Sequence, residues 1–179
     1  MSVFQPVPCQ SIRLGNQLMT FEVPRIMGIL NLTPDSFYDA GQHQSLELAL
    51  EHTERLIGEG ADIIDIGAYS SRPGAKEISH QEELDRAIPI IEAIHKQFPK
   101  AILSIDTFRA DVAEACVKAG VHIINDISGG SLDADMFNTV ARLQVPYILM
   151  HMRGTPATMQ QMTDYDDVVN DVAVSLGNS

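Results

Sequence analysis

Five short apolar runs, each followed at once by polar residues or glycine and separated by longer stretches of helical character, dictate what this chain can fold into. The runs are Ile26 to Leu30, Ile63 to Ile66, Ala101 to Ile105, Ile123 with Ile124, and Tyr147 to Met150. Each is too short for a buried helix, and a brief, continuous apolar run is what a strand covered on both faces requires. Between the runs the spacing turns helical. Leu46, Leu50, Thr53 and Ile57 share one face, and Gly60 stands where such a helix stops. Ser79-His80-Gln81-Glu82 forms a capping box ahead of Ile88, Ile91 and Ile94, and Pro99 closes that segment. A third helix is predicted over Arg109 to Ala119, ended by Gly120, a fourth over Ala134 to Leu143 behind the cap Asp133, and a fifth from near Asp164. Alternation of this kind marks a parallel sheet with crossover helices, an α/β fold.

Ahead of Pro24, Ser11 to Leu14 and Leu18 to Glu22 flank Gly15-Asn16, a hairpin turn signal. The expected organisation is therefore a β-hairpin within residues 1–24 and one α/β unit over 25–179, with no repeat, linker or low-complexity tract to divide it. A hydrophobic content of 45% suits a packed core. Twelve Lys and Arg against 24 Asp and Glu give a net charge of −12, which disfavours nucleic acid and anionic lipid and favours a small-molecule partner. Cys9 and Cys116 lie too far apart to suggest a disulfide framework or a zinc knuckle, as suits a reducing cytoplasm. No run has the length of a signal peptide or a membrane span, so the expectation is a cytoplasmic protein with no membrane partner.

The polar ends of the runs carry the functional argument. They are Asn31, then Gly67 to Arg72, Asp106-Thr107, Asn125-Asp126, and His151-Met152-Arg153. Parallel strands bring these ends to one side of the sheet, where loops and helix amino termini converge on a substrate. Any one of them could simply cap a helix or fix a turn, as capping alone could explain Asn125-Asp126, and a lone His151 at a strand end reads as hydrogen-bonded structure. Five polar ends on five strands argue for a site.

Met27-Gly28-Ile29-Leu30-Asn31-Leu32-Thr33-Pro34-Asp35-Ser36-Phe37 resembles the first signature of the dihydropteroate synthases. Ile64-Asp65-Ile66-Gly67-Ala68-Tyr69-Ser70-Ser71-Arg72-Pro73-Gly74-Ala75 is similar to that family's second loop, usually Gly-Glu-Ser-Thr-Arg-Pro-Gly, from which Ala68-Tyr69 and Ser71 depart. Ser104 to Thr107, Ile123 to Asp126, and Leu149 to Met152 with Gly154 downstream match in the same order. The resemblance implies a TIM-type (β/α)8 barrel of which this chain carries about five strand–helix units, truncated before the strands that bring a further aspartate, a lysine and an Arg-x-His pair. It implies a transferase of folate biosynthesis, in which p-aminobenzoate displaces diphosphate from a hydroxymethyl-dihydropterin diphosphate to give dihydropteroate. A full-length parent would be a homodimer, and this chain alone would be inactive because five tilted strands cannot close the barrel.

The same resemblance implies residue roles. Asp35, Arg72 and Asp106 would be catalytic, and Asp106, Asn125 and Met150 would bind the pterin. Asn31, Ser71 and Arg72 would hold diphosphate, Phe37 and Pro73 would wall the aminobenzoate pocket, and Asn31 would ligate Mg2+. The chemistry suits these assignments. A carboxylate accepts the paired N–H groups of a guanidine-like edge, an amide offers both donor and acceptor, a guanidinium forks onto phosphate, and an amide oxygen suits a hard cation. Two alternatives stay open: a methyltetrahydrofolate–corrinoid methyltransferase type of pterin domain, and a non-catalytic pterin-binding fragment. The loop Thr33 to Phe37 and Ser71 to Gly74 favour the synthase, because methyl transfer needs no diphosphate site.

Overall fold

The structure is a computed structural model, and it describes residues 10–32, 42–70 and 77–177. Strands β1 (Ser11–Leu14) and β2 (Gln17–Thr20) pair antiparallel across Gly15-Asn16, with Gly15 in the left-handed region at φ +58°. Five parallel strands follow in simple sequence order: β3 (Met27–Asn31), β4 (Ile63–Gly67), β5 (Ile102–Asp106), β6 (Ile123–Asp126) and β7 (Tyr147–Leu149). The crossover helices are α1 (Gln42–Gly58), α2 (His80–Gln97), α3 (Ala110–Ala119) and α4 (Met136–Leu143), and α5 (Val168–Gly177) comes after a 3-10 turn at Met159–Gln161. Among the described residues no helix is long and apolar enough to cross a membrane.

The two faces of the sheet have different roles. Leu30, Ile64, Ile66, Leu103, Ile105 and Ile124 are fully buried against the helices, where Ala87, Ile91, Ile94, Val112, Ala113 and Cys116 meet them. Burying each such Ile or Leu contributes about 1.5–3 kcal/mol, so this outer face is the main source of stability. The opposite face is smaller and graded. At its amino end Ile63 and Ile123 are covered by Leu14 and Met19 of the hairpin, with Met27 and Ile102 alongside. The hairpin thus seals the end of the sheet away from the polar strand ends.

Helix starts show local rules and one long-range substitution. Ser79 caps α2 by accepting from the Glu82 amide at 3.1 Å, while the Glu82 carboxylate turns to Arg86 at 2.6 Å instead of reaching back to the cap. Helix α4 begins at Met136, later than the Ala134 expected behind an Asp133 cap. Asp133 is used elsewhere: its Oδ2 accepts from the Ala110 amide at 2.7 Å and its Oδ1 from the Asp135 amide at 3.0 Å. It therefore caps α3, whose own cap residue Arg109 has no side-chain acceptor to offer. Replacing Asp133 with Ala is expected to cost about 1 kcal/mol, read as a lower urea midpoint at unchanged slope.

Candidate functional site

In-register parallel pairing stacks the inner face in layers, because residues two apart on a strand share a face and register partners lie side by side. The lowest layer is Met27, Ile63 and Ile102. The next is Ile29, Asp65, Ser104 and Ile123, and the uppermost is Asn31, Gly67, Asp106, Asn125 and Ile148. Polarity rises toward the carboxyl ends, and three of the polar residues expected at those ends fall on one transverse row. Met150, two residues beyond Ile148, falls on the same face, is 37% exposed, and has its amide bonded to the Asp126 carbonyl at 3.2 Å.

Gly67 supplies the space in this row. A Cβ there would lie 3.2 Å from Asn31 Oδ1 and 3.9 Å from Asp106 Oδ2, so its missing side chain leaves a gap between the amide and the carboxylate. Asp106 is half-buried and accepts no hydrogen bond from any described residue. Burial first, then the like charges of Asp65, Glu83 and Asp126, push its carboxyl up to about 7. A carboxylate so raised, and open to a cleft, is poised to receive positive charge or N–H donors from a ligand.

Three buried acids support it. Asp65 lies one layer below, where Oδ2 accepts from Asn125 Nδ2 at 3.0 Å. Burial raises its carboxyl, tempered by the nearby Ser104 hydroxyl and the Asn125 amide. Glu83 of α2 is wholly buried behind the sheet, takes the Thr107 hydroxyl and Arg109 Nη1, each at 2.7 Å, and is raised by burial against those favourable partners. Arg109 Nη2 also donates to the Ile78 carbonyl at 2.8 Å, so Glu83 ties the residue after Asp106 to the approach of α2. Asp126 points the other way from Asn125. Its carboxylate accepts from the Ser128 and Gly130 amides at 2.7 and 3.0 Å and from the Tyr147 hydroxyl at 2.6 Å, which folds the turn after β6. Capping and turn chemistry thus accounts for Asp126 and leaves Asn125 to the cleft.

Tyr69, standing where the resembled family has an acid, meets the Phe108 ring edge-on at 5.0 Å, and the Arg109 guanidinium lies 5.2 Å from the Tyr69 centroid. Arg109, already paired with Glu83, gains a stacked contact from this ring, which joins the loop after β4 to the loop after β5. His151 Nε2 is 3.1 Å from the Tyr165 hydroxyl, in keeping with a structural histidine, and Nδ1 has no partner among the described residues. Asp35, Phe37, Ser71, Arg72 and Pro73 lie outside the described residues. Asp65, Ser104 and Glu83 were not singled out from the sequence. The available signal was parity: Asp65 is two residues before Gly67 and so shares its face.

A parallel α/β sheet with an acceptor-lined cleft at the carboxyl ends of its strands is a binding face of the barrel-enzyme class. The chain belongs to the pterin binding enzyme family, whose model matches residues 27–179. It is 49% identical over 168 residues to a mitochondrial folate synthesis bifunctional protein of Arabidopsis thaliana, covering 91% of this chain and 30% of that protein. It is 48% identical over 149 residues to the dihydropteroate synthase of Escherichia coli strain K12, covering 83% of this chain and 52% of the relative. The solved dihydropteroate synthase of Xanthomonas albilineans with 4-aminobenzoic acid superposes with a TM-score of 0.82 at 41% identity, over 95% of this chain and 59% of that one. The same synthase in complex with 7,8-dihydropteroate gives 0.77 at 39% identity, over 94% and 58%. The chain therefore spans about a third to a half of these curated relatives, and its five strands take the fold of the corresponding part of a TIM-type barrel.

Two outcomes follow from the buried acids. Asp106 holds its proton more tightly folded than unfolded, so its share of stability is complete below the ordinary carboxyl value of 3.8 and is lost as pH rises through about 7. Asp106→Asn should therefore gain stability over the parent between pH 4 and pH 8, by up to about 4 kcal/mol, in urea unfolding at matched pH values. Glu83→Ala leaves Arg109 without its buried partner and should cost on the order of 3–5 kcal/mol by the same measurement.

Proposed function

We propose that the protein acts as a dihydropteroate synthase and that this chain supplies the face that reads the pterin. The observation that carries the reading is the row Asn31, Gly67, Asp106 and Asn125, in register on adjacent strands around a gap that no side chain of the described residues fills. A flat heterocycle laid over Gly67 meets the Asp106 carboxylate and the Asn125 amide at its edge, with Met150 on the same face to cover the ring. As diphosphate departs, positive charge spreads into the ring, and the fixed carboxylate of Asp106 stabilises it in a site walled from water on its outer side. The names of the relatives, which include dihydropteroate synthases and folate synthesis proteins, support the synthase over methyl transfer.

The anionic half of the substrate falls to residues assigned by resemblance: Ser71 and Arg72 on the diphosphate, Asp35 pairing with Arg72, and Phe37 and Pro73 beside the aminobenzoate. The Asn31 amide oxygen leans over Gly67 at the rim of the row, and a neutral oxygen there fits one position of a hard cation whose other ligands are substrate oxygens and water. Bound Mg2+ would supply charge neutralisation for the leaving diphosphate, and Asn31 would hold it at the edge nearest the pterin.

Titration calorimetry of the chain with a pterin tests this. Saturable heat is expected, with about tenfold or greater loss of affinity in Asp106→Ala. Ligand N–H donors favour the ionised carboxylate, so binding near pH 7 should release part of a proton, seen as heat that depends on the buffer. Binding unaltered in Asp106→Ala would sink the reading.

A further inference from the structure

Asp65 is the polar group that the reaction just described does not use. It sits in the layer under the binding row, 7% exposed, between Ile29 and Ser104 in register, and no Lys or Arg pairs with it among the described ion pairs. Its Oδ1 and the neighbouring Ser104 Oγ are buried and make no well-formed hydrogen bond among the described residues, although the Ser104 hydroxyl is near enough to favour the charged carboxyl. A carboxylate buried with half its acceptor capacity unmet costs stability, so the fold alone gives no reason for an acid at this position.

Its one hydrogen bond points upward into the site. Asn125 Nδ2 donates to Asp65 Oδ2 at 3.0 Å. Asp65 Oδ2 is the acceptor in this contact, so it is the NH2 side of the Asn125 amide that faces the acid. The amide is thereby held one way round, with its carbonyl oxygen turned away from Asp65, and Asn125 is the register partner of Asp106. Two acceptors, an amide oxygen and a carboxylate, then stand side by side at the head of β5 and β6.

We propose that Asp65 is a positioning residue that locks the Asn125 amide with its oxygen toward the ligand, and so sets the cleft to accept a heterocycle edge of adjacent N–H donors. The proposal rests on the pterin reading and deepens it. The ligand class it selects is a cyclic amidine bearing an exocyclic amine, and the class it rejects has a carbonyl oxygen in place of that amine. A site built on fixed acceptors discriminates strongly, because the wrong edge sets lone pair against lone pair.

The test compares pterin with lumazine, the same bicycle with oxygen in place of the exocyclic amine, by calorimetry on the full chain at pH 8. That pH lies above the value of about 7 for Asp106, so changes in its protonation contribute little. The parent is expected to prefer pterin by roughly a hundredfold. Asp65→Asn keeps the volume and a hydrogen bond but can pair with Asn125 in either sense. It should shrink that preference about tenfold or more, partly through tighter lumazine binding, with an unfolding midpoint equal to or above the parent's. Asp65→Leu, which cannot hold the amide, should shrink it as well. A preference unchanged in Asp65→Asn, with both ligands weakened alike, would overturn the proposal and leave the pterin reading standing. A parent that binds neither ligand would overturn the pterin reading and this proposal with it.

Discussion

Everything the cleft does depends on the register of the parallel ladder. Because β3 to β6 pair without offset, residues from distant parts of the chain stand shoulder to shoulder, and Asn31, Gly67, Asp106 and Asn125 occupy one line across the sheet. A slip of a single residue would exchange the faces of the strand that moves, and in β5 it would send Asp106 into the helix layer and Ile105 into the cleft. The register is protected by the outer face, where fully buried Ile64, Leu103, Ile105 and Ile124 leave no room for an exchanged acid. Binding geometry on one side is thus enforced by hydrophobic packing on the other.

The acids around Asp106 divide the remaining work. Asp126 spends its acceptors on the turn after β6, and Glu83 spends its own on Thr107 and Arg109, so both shape backbone next to a reader without touching the cleft. Their charge is still felt at Asp106, adding to the burial that raises its carboxyl to about 7. Structural carboxylates therefore tune a functional one through space, and none of the three is paired so completely that its field vanishes.

Strand positions were legible in the sequence because apolar runs bounded by polar residues leave little freedom, and Asp106 and Asn125 were legible as the polar ends of such runs. What was hidden depended on partners far along the chain. Asp133 looks like the cap of the helix that follows it, yet it serves the helix before it, because Ala110 lies nearby only after folding. Glu83 reads as one of two adjacent acids in a helix's first turn, and only its burial beside Arg109 separates it from the half-buried Glu82. Asp65 is the one charged residue in an otherwise apolar run; parity with Gly67 gives its face, and only the ladder shows that it stands beneath Asn125 and Asp106. Tyr69 had no account from sequence, and its contact with Phe108 and Arg109 provides one.

The hairpin seated on Ile63 and Ile123 closes the amino end of the inner face. Leu14 and Met19 cover that end, whereas Ile29 and Ile148, in the layers above, stay 59% and 39% exposed. The hairpin thus places its apolar cover over the end of the sheet that carries no polar groups, and leaves the end that bears Asn31, Asp106 and Asn125 uncovered by it.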